Sequence, residues 1–478
     1  MPTPPKTTLF QASVPVMGLA LLIGYGLVYR PLVQGAPQLP LELIFILAAT
    51  WTVGYLRLLG HRWRDVQQSI VAKLARGLPA FFILFCIGLI ISSWVVSGTI
   101  PMLVYWGLSL VNPNWLYLIA FLSTIVFSTL TGTSWGSVGT VGVVLMGMAM
   151  ALDANLGITA GAVIGGAYFG DKLSPLSDTT NLAALAADVD LYDHIQSMAY
   201  TTLPSAILAG AIYGLLGWTH SPVSSEQQLE TVSQFLDELQ RCFDFSIWLL
   251  IPPAIVLVGS FKRMPTVPLL ITSVGAAAVL AIWRQPFTLT HVFQAIHTGF
   301  DSQTMVTWTK VSPAVAQLLD RGGLYALNQA IITAFMVFIF IGAMDHIRAM
   351  PTVVQALLRP VNTARGTILT TLAATGLTNA MTSNQYATSF IIGDAFQSRY
   401  DTLGIPRRVL SRSIEDTGTM IESIIPWTAT ALFMVQTLGV PFGHYWYWQL
   451  LSLINIAVAV FYALTGIACF GNDRGLSR

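Results

Sequence analysis

The sequence places its most reactive-looking side chains where they are hardest to accommodate. Gly165-Gly-Ala-Tyr-Phe-Gly-Asp-Lys-Leu-Ser-Pro-Leu-Ser-Asp-Thr-Thr-Asn181 carries two aspartates, a lysine, several hydroxyls and an asparagine between apolar flanks. Asp171 and Asp178 lie seven residues apart, two helical turns, so an unbroken helix would project both from one face. Pro175 falls between them and predicts a break that frees backbone carbonyls. The stretch reads either as a surface loop with Lys172 neutralising one acid or as oxygen ligands inside a membrane. A charge at membrane depth costs about 2.5–3.5 kcal/mol on insertion scales, and such groups mark ion paths.

A second polar island, Thr131-Gly-Thr-Ser-Trp-Gly-Ser137, brackets Thr133 and Ser134 with glycines. Hydroxyls and exposed carbonyls suit a hard cation. The same glycines also suit close helix packing. Gly132-Thr-Ser-Trp-Gly136 matches the serine-nucleophile pattern, which requires a strand–turn–helix on an α/β sheet. No such sheet is expected, so an intramembrane serine hydrolase is the most distant alternative. Thr378-Asn-Ala-Met-Thr-Ser-Asn-Gln385 mirrors Thr131–Ser137 and offers Ser383 and Asn384. Glu415 and Glu422 repeat the seven-residue spacing, with Asp416 beside the first. Glu422 is expected to be buried. Glu415 and Asp416 follow several arginines and are compatible with a surface helix. Asp394 could face the cavity or pair with Arg399 or Arg412, and Asp345-His346 reads as a helix-end feature.

The candidate ion- and proton-binding set is therefore Asp178, Asp171, Glu422, Thr133, Ser134, Thr179, Asn181, Ser383, Asn384 and Asp416. Asp178 is expected to be the carboxylate for which Na+ and H+ compete, with Na+ held by Asp178, Ser134 and Asn181. No resident cofactor is expected beyond the transported ions.

The rest of the chain must hold these residues in lipid. Of its 478 residues 54% are hydrophobic and 9% charged, with mean hydropathy +0.67; soluble proteins average about 25% charged. An all-α polytopic membrane protein follows. A net charge of +1 leaves no nucleic-acid footprint. Cys86, Cys242 and Cys469 are scattered and form no disulfide or metal pattern. Apolar segments at 14–29, 41–59, 78–98, 115–130, 138–152, 158–170, 199–217, 246–261, 266–283, 330–344, 366–377, 386–397, 409–438 and 446–468 predict about 11–14 membrane segments. The first is expected to be an uncleaved helix. Several are shorter than the roughly 20 residues that span a bilayer. Those are expected to be half-helices or re-entrant hairpins buried in protein.

Arg57, Arg62, Arg64, Lys73 and Arg76 place one side in the cytoplasm. The acidic segment around 220–244 suits the outside. Lys262, Arg263, Arg348, Arg359, Arg365, Arg399, Arg407, Arg408, Arg412, Arg474 and Arg478 return inside, so both termini are expected to be cytoplasmic. Phe81–Gly88 is echoed by Phe335–Gly342, as the islands and acidic pairs echo each other, giving seven segments per half. An odd number makes the second half run inverted, the pattern of secondary transporters. The expected organisation is a hairpin at 1–77, a first repeat core at 78–217, an acidic loop at 218–245, a hairpin and linker at 246–329 and an inverted repeat core at 330–478. The 285–329 stretch, with the tight turn Leu318-Leu-Asp-Arg-Gly-Gly323, is expected at solvent or an interface.

The Gly132–Gly136 and Gly165–Asn181 motifs, with Leu319-Asp-Arg-Gly-Gly323 and Leu410-Ser-Arg-Ser-Ile-Glu-Asp416, resemble the NhaC-type sodium/proton antiporters. The resemblance covers about residues 40–465. It implies an inverted-repeat fold with broken helices, Na+/H+ exchange across a prokaryotic cytoplasmic membrane, and a homodimer. It also implies an alternative, coupled exchange of organic acids such as malate and lactate.

Overall fold

The computed structural model describes residues 7–469 except 111, 221–225, 263, 359 and 360. Arg263, Arg359, Arg474, Arg478 and the side chain of Glu226 lie outside that description. Two sets of seven helices carry the architecture. The first is α1 (Trp63–Val96), α2 (Thr99–Leu110), α3 (Leu116–Thr131), α4 (Ser134–Ala151), α5 (Leu156–Leu173), α6 (Asp178–Ala187) and α7 (Leu191–Thr219). The second is α8 (Asn328–Asp345), α9 (Ala349–Leu358), α10 (Ala364–Thr382), α11 (Gln385–Thr402), α12 (Arg407–Ile421), α13 (Ala429–Leu438) and α14 (Leu450–Thr465).

Sequence polarity decides which helices stop in mid-molecule. Eight described helices are long and apolar enough to cross a membrane, or ten if each of two bent pairs is one span. α5, α10, α11 and α12 are not among them; they carry the hydroxyls, amides and acids and are shielded by the rest. α3 and α4 form a hairpin, since the backbone N–H of Asn155 after α4 donates to Tyr117 Oη at the start of α3 at 3.1 Å. α10 and α11 form another: Tyr400 Oη donates to Thr371 Oγ1 at 3.0 Å, and Arg399 donates to Asn362 Oδ1 at 2.6 Å. The basic face is fixed by Lys73–Asp345 (3.2 Å) and by His346 Nε2 at 3.1 Å from His61 Nδ1, which join the start of α1 to the end of α8. The α10–α11 hairpin enters from that face and the α3–α4 hairpin from the opposite one. α5 and α6 are two halves of one crossing. α6 ends at Asp188, which pairs with Arg407 at the start of α12 at 2.7 Å.

Helices α3–α7 and α10–α14 pack into one core body. α1 and α8, with Leu41–Leu58, Ile251–Phe261 and Thr266–Arg284, form a second, scaffold body. Between the bodies, among the described residues, one hydrogen bond crosses: Gln436 Nε2 to Gln329 Oε1 at 3.4 Å, at the surface. Within the core, contact is close enough to exclude side chains. Ser128 Oγ on α3 donates to Gly166 O at 2.9 Å and accepts from the Gly170 N–H at 3.1 Å, so it enters the α5 backbone ladder.

Several boundaries differ from the sequence reading. The basic run before 78 is not a loop: Arg64, Lys73 and Arg76 ride on the 34-residue α1. Their exposed faces and the pairing of Lys73 make room for charge inside one long helix. The 409–438 segment is not continuous, because α12 ends at Ile421 and α13 begins at Ala429, with Pro426 between them. The 285–329 stretch contains Leu289–Thr298, Ser302–Met305 and Pro313–Leu319. Its tight turn docks on the scaffold: Gly322 and Gly323 take φ of +82° and +92°, and the Gly323 N–H donates to Gly88 O at 2.9 Å.

A β-carbon at Gly170 would lie 2.2 Å from Ser128 backbone carbon. Backbone cannot yield as a side chain does, so Gly170→Ala is expected to lose at least the 1–3 kcal/mol typical of overpacking, ~3 or more here. Fluorescence-detected size exclusion after a heat step should show a lower melting temperature than wild type.

Candidate functional site

Four helix interruptions meet in mid-molecule. At the first, Gly132 closes α3 with φ +69°, and Thr133, extended, caps α4 by accepting from the Gly136 N–H at 3.3 Å. At the second, Ser177 caps α6 by accepting from the Thr180 N–H. At the third, Ser383 closes α10 with φ +49°, and Asn384 caps α11 by accepting from the Ala387 N–H at 2.8 Å. At the fourth, Thr428 caps α13 by accepting from the Ala431 N–H at 3.1 Å. Each interruption is thus closed by a short polar side chain in place of water.

One numerical shift relates the two halves. Gly132 and Ser383, Thr133 and Asn384, Ser134 and Gln385, Asp171 and Glu422, and Ser177 and Thr428 are each 251 positions apart. The structural counterpart of Asp171 is therefore Glu422, and that of Asp178 is Ala429. The expected pairing of Asp171/Asp178 with Glu415/Glu422 is out of step by two turns. A seven-residue spacing looks the same after a slip of seven, so the carboxylates alone could not fix the register.

Asp171 is buried, with Ser134 Oγ donating to Oδ2 at 2.6 Å and Ser177 Oγ to Oδ1 at 2.7 Å. Glu422 is buried in the same manner, with Asn379 Nδ2 donating to Oε1 at 3.3 Å and Thr430 Oγ1 to Oε2 at 3.0 Å. Each carboxyl group hangs beside its own broken helix and takes one donor from the neighbouring hairpin. The interruptions are also tied to each other. Ser174 Oγ donates to Thr129 O at 2.9 Å, and the Ala429 N–H donates to Ser383 Oγ at 2.8 Å.

These groups line a cavity of about 490 Å³ that reaches Arg76 and Met264 on the basic side. Nine of the ten candidate residues are in its wall: Asp171, Asp178, Glu422, Thr133, Ser134, Thr179, Asn181, Ser383 and Asn384. Their roles differ from expectation. Asp178 is exposed at the start of α6 and accepts a long bond, 3.4 Å, from Tyr386 Oη. Because Pro175 does break the helix, the two aspartates do not share a face, and Asp171 is the buried one. Asn181 Nδ2 donates to Pro175 O at 3.0 Å and Ser177 O at 2.7 Å, so its amide closes the break. Thr179 is half-buried with its hydroxyl 3.1 Å from Ser177 Oγ.

Asp416 is outside the cavity wall. It pairs with Lys172 at 2.8 Å, both fully buried, and joins the broken helices of the two halves. Thr201 Oγ1 at 2.8 Å and Asn455 Nδ2 at 3.0 Å also donate to it, with Arg412 at 3.8 Å. Glu415 is buried too, so the surface-helix reading of both acids is corrected. Of the arginines before them, Arg407 pairs with Asp188 and Asp401, and Arg412 donates to Ala468 O at 2.9 Å while its Nε faces Asp416. Asp394 is exposed, and Arg399 bonds Val361 O and Asn362 instead.

Ser134 stands at a helix start and gives its proton to a carboxylate, not to a histidine. His194 Nδ1 lies 2.8 Å from Ser411 Oγ, and His346 faces His61 and Ser69. Sequence reasoning missed Asn379, Gln385, Tyr386, Ser177 and Thr430. Two were within reach of the 251 shift, since Gln385 and Thr430 stand opposite Ser134 and Thr179. No three described His, Cys, Asp or Glu residues group as a metal site. The oxygens at Asp171 and Glu422 suit a hard monovalent ion passing through.

The sequence model of the Na+/H+ antiporter family matches residues 166–467. An uncharacterised Na+/H+ antiporter of Haemophilus influenzae is 40% identical, over 96% of this chain and 96% of its own. The Na+/H+ antiporter NhaC of Alkalihalophilus pseudofirmus is 31% identical, over 92% and 93%. The malate-2H+/Na+-lactate antiporter of Bacillus subtilis is 30% identical, over 90% of each chain.

Breaking the Lys172–Asp416 pair from one side leaves a buried charge alone, at about 3–5 kcal/mol. Asp416→Asn is expected to lose about that much stability. The Lys172→Met/Asp416→Leu double variant is expected to lose clearly less than the two single changes together, as a thermal-melt double-mutant cycle in detergent would show.

Proposed function

We propose that this chain, which belongs to the Na+/H+ antiporter family, makes Na+ and H+ take turns at Asp171 and Glu422. It is a multi-pass membrane antiporter that exchanges Na+ for H+. The observation that carries the residue assignment is the symmetric one. Two carboxyl groups, one per half, hang at equivalent helix breaks, each with two side-chain donors. Ionised, each offers charged oxygens to Na+; protonated, it offers none of that charge. Binding one ion therefore expels the other. Ser134 and Ser177 keep Asp171 aimed at the cavity, and Asn379 and Thr430 do so for Glu422. Asp178, exposed at the mouth, draws cations toward the floor.

The cavity opens on the face carrying Arg57, Arg62, Arg64 and Arg76. The positive-inside rule makes that the cytoplasm of a prokaryotic cell, with an inward-open state and a cytoplasmic N-terminus. Rocking of the core against the scaffold would open the other side. The only non-protein participants on this reading are the ions. Malate fits this wall less well than Na+. Asp171, Asp178 and Glu422 line it against Arg76, and Lys172 is committed to Asp416. The relatives named above are antiporters, which supports reading Ser134 as part of an ion site and not as a hydrolase nucleophile.

Everted vesicles loaded with a pH-sensitive dye test the assignment. Asp171→Asn and Glu422→Gln are expected to abolish Na+-induced dequenching, while Asp178→Asn keeps most of the rate. Ser134→Ala removes one bond to a charged group, about 1.5–3 kcal/mol, and should raise the half-maximal Na+ concentration by roughly tenfold or more. Full exchange in Asp171→Asn would end the scheme.

A further inference from the structure

One buried acid has no part in that exchange. Glu415 is fully buried on α12, two turns before Glu422, and is absent from the cavity wall. Residues seven apart share a helix face, and Thr419 stands between them on that face. Thr419 Oγ1 donates to Glu415 Oε2 at 2.5 Å, while Oε1 has no partner among the described residues.

The charges around Glu415 do not neutralise it. Asp171 and Glu422, both acidic, act on it electrostatically, as does Lys172. Lys172 is bonded to Asp416, and Arg412 faces Asp416 as well. His194 is hydrogen-bonded to Ser411. An ionised carboxylate here would be buried with one hydrogen bond and no cation of its own, at a cost of several kcal/mol. Carrying a proton would remove that cost.

The fold does not require the acid. The position 251 residues earlier, on α5, is Ile164, also fully buried. An apolar side chain fills the equivalent place in the first half, so a carboxyl group in the second half is a costly addition with no packing role.

We propose that Glu415 is a third proton-carrying group of the antiporter, loaded through Thr419 from the Glu422 side and emptied when α12 changes its surroundings in the opposite conformation. The proton moves as H+ between carboxyl and hydroxyl oxygens, with no redox partner. Each cycle then returns one more proton per Na+ than Asp171 and Glu422 handle by themselves. This rests on the antiport reading above.

The test is the coupling ratio. Purified protein in liposomes is held at a set membrane potential, and the Na+ gradient at which net H+ flux reverses is measured for wild type, Glu415→Gln and Glu415→Asp. Gln keeps the bond from Thr419 and cannot carry a proton. The expected result is a lower ratio by one proton in Glu415→Gln and the wild-type ratio in Glu415→Asp. An unchanged ratio in Glu415→Gln overturns the proposal. If Glu415→Gln folds but does not transport, protons released on adding Na+ to the detergent-solubilised protein decide. One fewer per chain supports the proposal, and the wild-type count overturns it. Wild type without any Na+-driven H+ flux would instead remove the antiport reading, and this proposal with it.

Discussion

Everything in this molecule depends on ending helices where there is no water. An interrupted helix leaves amide N–H and carbonyl groups without partners, and lipid supplies none. Here four interruptions lie at one level, and each is closed by the chain itself. Thr133, Ser177, Asn384 and Thr428 cap the outgoing helices, and Gly132 and Ser383 turn the chain through positive φ. Polar side chains that close a break also point into it. The proposed site is the remainder of that closure: the carboxyl oxygens of Asp171 and Glu422, to which Ser134, Ser177, Asn379 and Thr430 donate.

The two halves are alike in backbone and unlike in charge. Asp171 and Glu422 are equivalent, but Asp178 stands opposite Ala429, Lys172 opposite Ser423 and Glu415 opposite Ile164. A strictly symmetric pair of carboxylates would present the same chemistry to both faces. The unequal charges mean that the inward- and outward-facing states differ in electrostatic energy, so the bound ions bias which one is occupied. Lys172–Asp416 ties the two broken helices together, and separating the pair in a dry interior would be far more costly than moving both as a unit.

The sequence made much of this legible and concealed a definable part. Composition marked a membrane protein, and polar islands inside apolar runs marked the breaks, because lipid cannot solvate an opened helix backbone or a hydroxyl cluster at that depth. Eight cavity residues followed from those islands, and Glu422 from the repeated seven-residue spacing of acids. What could not be read was which acid faces where. Asp171 and Asp178 are similar on paper, and only the geometry of the Pro175 break turns one inward and leaves the other exposed. Asp416 read both as a candidate ligand and as a surface-helix acid, because its partner Lys172 lies 244 positions earlier. Burial of Glu415 behind several arginines was hidden for the same reason: their partners, Asp188 and the backbone at Ala468, are distant in sequence.

The rocking proposed above would meet little resistance where the two bodies touch. The core's face of the cavity is polar, with Asp171, Thr133 and Gln385, whereas the scaffold's face is mainly Ile83, Ile87, Val256, Leu269, Leu270 and Phe338. One surface hydrogen bond spans the described boundary. Sliding an apolar wall past its neighbour exchanges one set of dispersion contacts for another and breaks no buried hydrogen bond. Were the boundary laced with hydrogen bonds, each would have to be broken and remade in every cycle. The polar network lies within the core, where it fixes the carboxyl groups, and is nearly absent from the boundary, where it would resist movement. The same division lets the site stay rigid while its access changes sides.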